Sequence, residues 1–358
     1  HATTHGNRDN NINFIRFLAA SLVLYSHMHP LLGLPEPRLF GETLGTLAVR
    51  IFFILSGYLI CQSYSHDSNC FRYFIRRIFR IFPGLIFVVA ISAFVLGPLL
   101  TSLSPSDYFR SFDTFFYLMN VLLYPVYNLP GVFEGNFSPA VNGSLWTLPI
   151  EFSMYLLLPL CFIVLKKLGV VSQGFLLLAL AALAVRLGLV IFFPSSAFWL
   201  FWGTPWTTGF YHFPYFFMGA FFATKHCEKK CNLQIALFLT ATLAILKFDI
   251  LWINEIIMFL ALPYIVIAIS YATPAVFGKV FAINDYSYGM YLWAFVVQQI
   301  AINVLGGLSF AGPIAYTPIC LCVTFACAIV SWHMIEKPSM ALGKQITTWS
   351  RKRTHRPI

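Results

Sequence analysis

Long apolar stretches alternate with short polar segments along almost the whole chain. A helix needs about 20 mainly apolar residues to cross the hydrocarbon core of a bilayer. The pattern therefore predicts an all-α polytopic membrane protein with about ten transmembrane helices. The predicted spans are 13–32, 44–63, 81–101, 145–165, 173–193, 209–224, 233–247, 252–271, 286–305 and 313–333.

The segment 109–127 is also apolar and aromatic, but a stretch rich in Gly, Pro and Asn follows it up to Gly143. We interpret it as an interfacial or re-entrant helix, with an eleventh span as the alternative. Basic residues favour the first interpretation, because cytoplasmic loops are enriched in Lys and Arg. Ten spans with both termini cytoplasmic keep the four basic clusters inside. One membrane domain, 13–338, then lies between cytoplasmic tails 1–12 and 339–358.

The composition supports a membrane protein, with 59% hydrophobic and only 10% charged residues, whereas soluble domains carry about 25% charge. In such a chain the net charge of +10 reports topology, and we predict no nucleic-acid partner. The eight cysteines form no disulfide framework and match no zinc-binding spacing. We therefore predict no metal.

The first span carries two ionisable residues, Arg16 and His27, eleven positions apart. Eleven residues are about three helical turns, so both side chains lie on one face, separated by roughly 16 Å along the axis. Ionisable residues inside a membrane usually face a protein interior or a water-filled cavity. The alternative is that Arg16 reaches the interface and His27 only hydrogen-bonds a neighbouring helix.

Four ionisable residues on different spans fall at a similar depth in the outer half: His27, Arg50, Glu151 and Arg186. This predicts a polar cavity that opens to the outer face. Within it His27 suits a general base or nucleophile, and Glu151 would orient the imidazole or stabilise its charged form. The alternative is a structural ion-pair network of Arg50 or Arg186 with Glu151.

At the opposite face, span three is preceded by Arg72, Arg76, Arg77 and Arg80. These residues serve either as a topology anchor or, with Arg16, as a clamp for the phosphates of an anionic cofactor. An extended pantetheine arm is about as long as the separation of Arg16 and His27, so a coenzyme A bound there could place its thioester at His27. Ser56 and Gly57 are small enough to permit close helix approach along that path.

Six segments, in order, make the chain resemble the acyltransferase-3 family of integral membrane acyltransferases, which includes bacterial O-antigen and exopolysaccharide O-acetyltransferases. Members of this family often have a second His at the position of Ala294. This chain lacks that His, so the resemblance implies that the catalytic histidine is His27. The segments are Arg16-x10-His27, FFILSGYLI (52–60), Arg77-x2-Arg80 followed by Pro83, GSLWTLPIEF (143–152), SYGMYLW (287–293) and IEKP (335–338).

The resemblance implies an O-acyltransferase in the bacterial inner membrane. It would move acetyl from cytoplasmic acetyl-CoA to a sugar hydroxyl of a surface glycan, with lipopolysaccharide O-antigen favoured, at the periplasmic face. The expected partners are acyl-CoA, a glycan or lipid-linked glycan, and membrane lipid. The expected residues are His27 and Glu151 for catalysis, Arg16, Arg76, Arg77, Arg80, Ser56 and Gly57 for the cofactor, and Arg50, Ser144 and Trp146 for the acceptor.

Two other functions fit a many-span protein with a polar cavity. The first is a transporter or flippase for a glycan or lipid-linked sugar, which predicts midplane sites and an inverted repeat. We find no internal repeat in the sequence. The second is a non-catalytic sensor of acyl-CoA or lipid.

Overall fold

The apolar stretches form helices close to the predicted positions. A computed structural model describes residues 10–193, 200–246, 250–272, 284–307 and 312–354. The longer helices are α1 (Ile12–Leu31), α2 (Leu44–His66), α3 (Cys70–Ile91), α6 (Thr147–Lys167), α7 (Val171–Phe192), α8 (Phe213–Thr224), α9 (Leu233–Ile245), α10 (Leu251–Ser270), α11 (Ser287–Leu305), α12 (Pro313–Ser331) and α13 (Lys337–Thr354).

Within the described ranges, seven helical segments are long and apolar enough to cross a membrane. This is the architecture of an all-α polytopic membrane protein. Helix α1 has a suitable length of 20 residues but is not among the seven, because Arg16, His27 and His29 reduce its mean hydropathy. Helices α8 and α9 are shorter apolar helices. The count of ten spans and the side of each terminus stay predictions.

The segment 109–127 contains no long helix. It includes the end of α4 (Pro105–Arg110), then α5 (Phe112–Phe116) and a 3-10 turn at Tyr117–Leu122, followed by irregular chain up to Asn142. A single eleventh spanning helix is therefore absent from this segment, as the interfacial or re-entrant interpretation requires.

Helices α2 and α8 pack with their backbones almost in contact. A Cβ atom added to Gly57 would clash with the carbonyl oxygen of Phe216, and one added to Gly219 would clash with the carbonyl of Ile54. Small residues allow this close approach in membrane proteins. The contact fixes α8 beside the middle of α2 and so positions the loop before α8.

Helix α3 is extended by a π-helical segment, Ser92–Leu96, and a last turn to Leu100. A π segment leaves backbone groups free for other partners, and here the hydroxyl of Tyr108 donates to the carbonyl of Ala93 at 2.8 Å. A second π segment, Trp332–Glu336, links α12 to α13. It buries Glu336 against Arg80 of α3.

Two short hairpins connect helices. Strands β1 (Arg38–Leu39) and β2 (Glu42–Thr43) are antiparallel, as are β3 (Leu200–Phe201) and β4 (Thr204–Pro205). The first hairpin precedes α2, and Thr43 caps that helix by accepting from the backbone amide of Thr46. This hairpin covers the end of the bundle at which α1 finishes and α6 begins, which we call the His27 end.

Candidate active site

His27 lies one turn before the end of α1 and is half-buried. Its Nδ1 lies 3.5 Å from the Oγ of Ser144, and its ring packs edge-on against Phe295. Ser144 is buried in the 3-10 turn Gly143–Trp146. Asn142 caps that turn, because its side-chain oxygen accepts from the amide of Ser144. The turn before α6 therefore positions the imidazole.

A cavity of about 240 Å³ lies in front of His27, and we call it the His27 cavity. Trp146 forms part of its wall, so both Ser144 and Trp146 lie beside His27, at the place where the sequence predicts the outer entrance. The wall is rich in hydroxyl groups, which suits a polar ligand. The polar and aromatic residues of the wall are Glu36, Thr43, Thr46, Trp146, Thr147, Thr208, Tyr211, His212 and Tyr291.

Glu36, from the loop between α1 and β1, is the carboxylate among the described residues that line the cavity beside His27. It interacts electrostatically with the imidazole. Its Oε2 accepts from the hydroxyl of Ser26 at 2.7 Å, and the same hydroxyl accepts from the amide of Gly45. Sequence reasoning missed Glu36 because it lies outside the apolar spans. Its signal was an acidic residue in a short loop, nine positions after His27.

Glu151 lies on α6 and forms its hydrogen bonds with α2 and with its own helix. It accepts from the hydroxyl of Ser56 at 3.3 Å and from the hydroxyl of Tyr155. Seven residues along a helix correspond to about 10 Å of axial rise, so Glu151 lies well below the level of Ser144. Within the described residues no hydrogen bond joins Glu151 to His27, whereas Glu36 lines the His27 cavity; the orienting role of Glu151 stays a prediction.

Arg50 is fully buried and ion-paired, so it does not face an acceptor as expected. It lies 2.9 Å from Glu255 and 3.2 Å from Glu42, and Arg186 pairs with Glu255 at 2.8 Å. An ion-pair network was the alternative raised from the sequence, but its central acid is Glu255 and not Glu151. Pairing of this kind offsets the large cost of burying charge.

The ion-pair network supports the wall of the His27 cavity. The guanidinium of Arg186 stacks on the ring of Tyr211 at 3.5 Å, and Tyr211 lines that cavity. Next to it, His212 is buried and stacks on Phe53 with ring centroids 4.9 Å apart. His212 is a second imidazole in the wall, which the sequence analysis did not single out.

A larger cavity, of about 940 Å³, opens at the other end of the bundle, and we call it the basic cavity. The end of α2, the start of α3 and one face of α13 form it. Five arginines and one lysine line this cavity, and Asp67 is the one carboxylate among its described lining residues. The charged and polar lining residues are Gln62, Ser63, His66, Asp67, Arg72, Arg76, Arg77, Arg80, Lys344, Thr347, Thr348 and Arg351.

Arg76 and Arg77 line the basic cavity, and both carry buried donor nitrogens that have no hydrogen-bond partner. Arg76 pairs with Asp67 at 2.9 Å, yet its Nε and one Nη atom have no hydrogen-bond partner. Arg77 lies over the ring of Tyr73, and within the described ranges no carboxylate pairs with it. Buried donors without partners are costly, so these groups suit an incoming anion.

Unlike Arg76 and Arg77, both Arg16 and Arg80 form an ion pair with Asp285. The distances are 2.8 Å and 2.7 Å, and Arg80 also lies 3.4 Å from Glu336. Burial acts to raise the pKa of Asp285, but the two arginines lower it below its ordinary value. Arg80 still lines the basic cavity, whereas Arg16 does not. Arg16 therefore joins α1 to the base of the cation cluster.

Ser56, Glu151 and Tyr155 lie between the two cavities. Tyr155 interacts electrostatically with Arg77, and its carbonyl accepts from the hydroxyl of Tyr73 at 2.9 Å. A line of polar groups thus extends from the basic cavity into the bundle, towards the level at which α6 begins. Gly57, beside Ser56, faces the backbone of α8.

Comparison with known proteins gives a consistent result. Residues 9–333 match the protein family described as an acyltransferase domain. The chain is 29% identical over 337 residues to "O-acetyl transferase" of Shigella phage Sf6, covering 92% of this chain and 96% of that protein. It is 26% identical over 357 residues to "Nodulation protein 10" of Rhizobium leguminosarum bv. viciae, covering 93% and 94%. No solved structure matches the chain.

Proposed function

This chain belongs to the acyltransferase-3 family, and on that premise we propose that it is a membrane O-acetyltransferase. It takes acetyl from acetyl-CoA and transfers it to a sugar hydroxyl of a surface glycan. Lipopolysaccharide O-antigen is the favoured acceptor. The family match and the O-acetyl transferase relative support the acyl transfer and the oxygen acceptor.

One arrangement carries the proposal: a cation-rich cavity and a histidine cavity lie at opposite ends of the same helices. Helix α1 joins them, with Arg16 bound beside Arg80 at one end and His27 beside Ser144 at the other. The axial separation of Arg16 and His27 is roughly 16 Å. An extended pantetheine arm has about this reach, so it connects phosphates at one end with a thioester at the other.

The donor phosphates bind in the basic cavity. Arg76 and Arg77 supply unpartnered guanidinium donors, and guanidinium groups bind phosphate oxygens in a bidentate geometry. Ser56 and Glu151 lie beside the path of the pantetheine arm. Positively charged segments favour the cytoplasmic side, so the basic end faces the cytoplasm and the His27 end faces the periplasm of a bacterial inner membrane.

The acceptor sugar binds in the His27 cavity, with Trp146 as a stacking surface. His27 accepts the proton of the sugar hydroxyl while the sugar oxygen attacks the thioester carbonyl carbon. The carbon–sulfur bond breaks, and the leaving thiolate takes up the proton from the imidazolium. Glu36 offsets the positive charge of the imidazolium, and Ser144 fixes the ring orientation. An acetyl-imidazole at His27 is the two-step alternative.

The test uses purified protein in detergent with radiolabelled acetyl-CoA, first without and then with an O-antigen acceptor. We expect His27→Ala to abolish transfer to the glycan. The matched control is His29→Ala, because His29 lies two residues further on α1, bonds the carbonyl of Tyr25 and does not line the His27 cavity. Label on the protein that depends on His27 would select the two-step route.

Three outcomes would count against the proposal. Transfer that survives in His27→Ala would remove the proposed base. Failure of the wild-type protein to bind acetyl-CoA would remove the donor site. In cells, loss of displayed glycan in the His27 variant, with no change in acetylation of what remains, would favour the transporter.

A further inference from the structure

Helix α13 (Lys337–Thr354) lies beyond the residues that match the family, which end at 333. It nevertheless forms one wall of the basic cavity, through Met340, Lys344, Thr347, Thr348 and Arg351. The sequence analysis treated this region as a basic tail outside the membrane domain. In the structure it lines the cavity in which we place the donor.

The lining positions of α13 follow one helical face. Successive spacings of three or four residues place side chains on the same side of a helix. From Met340 to Arg351 there are eleven residues, which correspond to about 16 Å of axial rise. The lining face of α13 therefore extends along most of an elongated cavity.

Contacts between α13 and α3 show in which direction α13 runs along the cavity. The sulfur of Met340 lies 3.9 Å from the Nη1 of Arg80, and Gly343 packs against Phe79. The two helices run in opposite directions, so later residues of α13 lie beside earlier residues of α3. Lys344 is accordingly near the level of Arg76 and Arg77, and Arg351 is at the mouth of the cavity.

Carboxylates lie beside several of the cations that line the basic cavity. Asp67 pairs with Arg72 and Arg76, while Arg80 binds Asp285 and Glu336. Helix α13 adds two cations to the lining, Lys344 and Arg351, together with two threonine hydroxyls. Cations thus outnumber carboxylates among the described residues that line the basic cavity, and those of α13 lie at two positions along its face.

We propose that α13 is part of the donor site, with Lys344 binding the diphosphate of coenzyme A and Arg351 binding its 3′-phosphate. This assignment rests on the proposed function, in which coenzyme A is the carrier of the acyl group. The thiol must point towards His27, so the diphosphate lies deeper and the ribose 3′-phosphate lies at the mouth. Those two levels are where α13 places its two cations.

The experiment compares two probes, coenzyme A and 3′-dephospho-coenzyme A, by calorimetric titration of the full-length protein in detergent. We expect Arg351→Gln to weaken binding of coenzyme A about tenfold, as for loss of one charge-assisted hydrogen bond. Binding of the dephospho probe stays unchanged in this variant. Lys344→Gln weakens binding of both probes.

The matched control is Lys352→Gln, which removes a cation from the next position of α13. Lys352 is exposed and does not line the basic cavity, so both affinities should match those of the wild type. With acetyl-CoA as substrate, Arg351→Gln should raise KM and leave kcat unchanged, because the 3′-phosphate is remote from the reacting carbonyl.

The outcomes separate the two levels of the proposal. Equal weakening of both probes by Arg351→Gln, or no weakening of either, overturns the assignment of the 3′-phosphate while coenzyme A binding by the wild type stands. Wild-type affinity in Lys344→Gln removes α13 from the diphosphate site. A wild-type protein that binds neither probe overturns the donor itself and this inference with it.

Discussion

At the scale of single residues, we propose that the chemistry of His27 depends on Glu36. Its carboxylate faces the imidazole across the His27 cavity and is held by Ser26. We expect Glu36→Gln to lower kcat by about ten- to a thousandfold, because the imidazolium loses its compensating charge. Binding of acetyl-CoA, measured by calorimetry, should not change, since Glu36 lies far from the basic cavity.

The control for this substitution is Glu134→Gln. Glu134 is an exposed carboxylate that bonds Ser102 and does not line the His27 cavity, so its kcat should equal that of the wild type. If Glu36→Gln kept full activity while Glu151→Gln lost it, the predicted role of Glu151 as the partner of His27 would be supported.

A second residue-scale prediction concerns Asp67, in the loop between α2 and α3. Hydrogen bonds from Arg72 and then Arg76 hold the pKa of Asp67 well below its ordinary value. The stabilisation by this pairing is therefore complete above the unfolded-state pKa of about 3.9 and is lost as the pH falls below it. Asp67→Asn should lower Tm slightly between pH 5 and 7, and the difference should shrink as the pH falls below about 4.

The measurement is a thermal melt of detergent-solubilised protein from pH 3 to 7. Asp113→Asn is the matched control, because Asp113 is exposed and forms no ion pair within the described part of the chain. A difference between Asp67→Asn and wild type that is independent of pH would show that the carboxylate charge does not matter. The same variant should bind coenzyme A more tightly, since it frees Arg72 and Arg76.

At the scale of elements, the packing of α2 on α8 depends on glycine. Gly57→Ala places a methyl group against the carbonyl of Phe216, and the helices must separate to admit it. Overpacking of this kind costs about 1–3 kcal/mol, so we expect a lower Tm in a thermal melt. The wall of the His27 cavity includes the loop before α8, so activity should fall as well.

Gly188→Ala is the control for this effect. Gly188 lies on α7, and a Cβ atom there meets nothing within 4 Å. Alanine favours a helix by up to about 1 kcal/mol over glycine, so this variant should be as stable as the wild type or more stable. A Gly57→Ala protein with wild-type stability would show that the two helices are not in the close contact described.

Helices could be predicted from the sequence, because the apolar pattern is local. Each predicted span overlaps a helix, although α3 begins at Cys70, eleven residues before the predicted span. The shared face of Arg16 and His27 follows from helical geometry alone. Ion pairing could not be predicted in the same way. The partners Glu36, Asp285 and Glu255 lie in loops or on distant helices, so their contacts depend on the tertiary fold. The burial of Arg50 depends on its ion pair with Glu255. The depth of each residue within its own span gives no information about such a partner on another helix.

The position of α13 could not be predicted from the sequence either. The number of its basic residues indicates only a cytoplasmic tail. Their spacing along one face, however, matches the helical repeat. The packing of α13 on α3, through Gly343 on Phe79 and Met340 beside Arg80, brings that face to the basic cavity. A periodic polar face gives no information about which surface it covers, and the structure supplies that information.

At the scale of the whole molecule, the separation of the two cavities predicts that donor and acceptor are used from opposite sides of a membrane. The protein is reconstituted in sealed vesicles, and acetyl-CoA is added outside while an O-antigen acceptor is enclosed. Transfer should come from molecules whose basic end faces outwards. Their fraction is measured by labelling the exposed Cys70 at the start of α3 with an impermeant maleimide.

In these vesicles Arg77→Gln should raise the KM for acetyl-CoA, and His27→Ala should abolish transfer. The contrary result is transfer at the same rate when acetyl-CoA and the acceptor are both outside the vesicles as when they are on opposite sides. Both substrates would then enter through one opening, and the two cavities at opposite ends of the bundle would not be the two substrate sites.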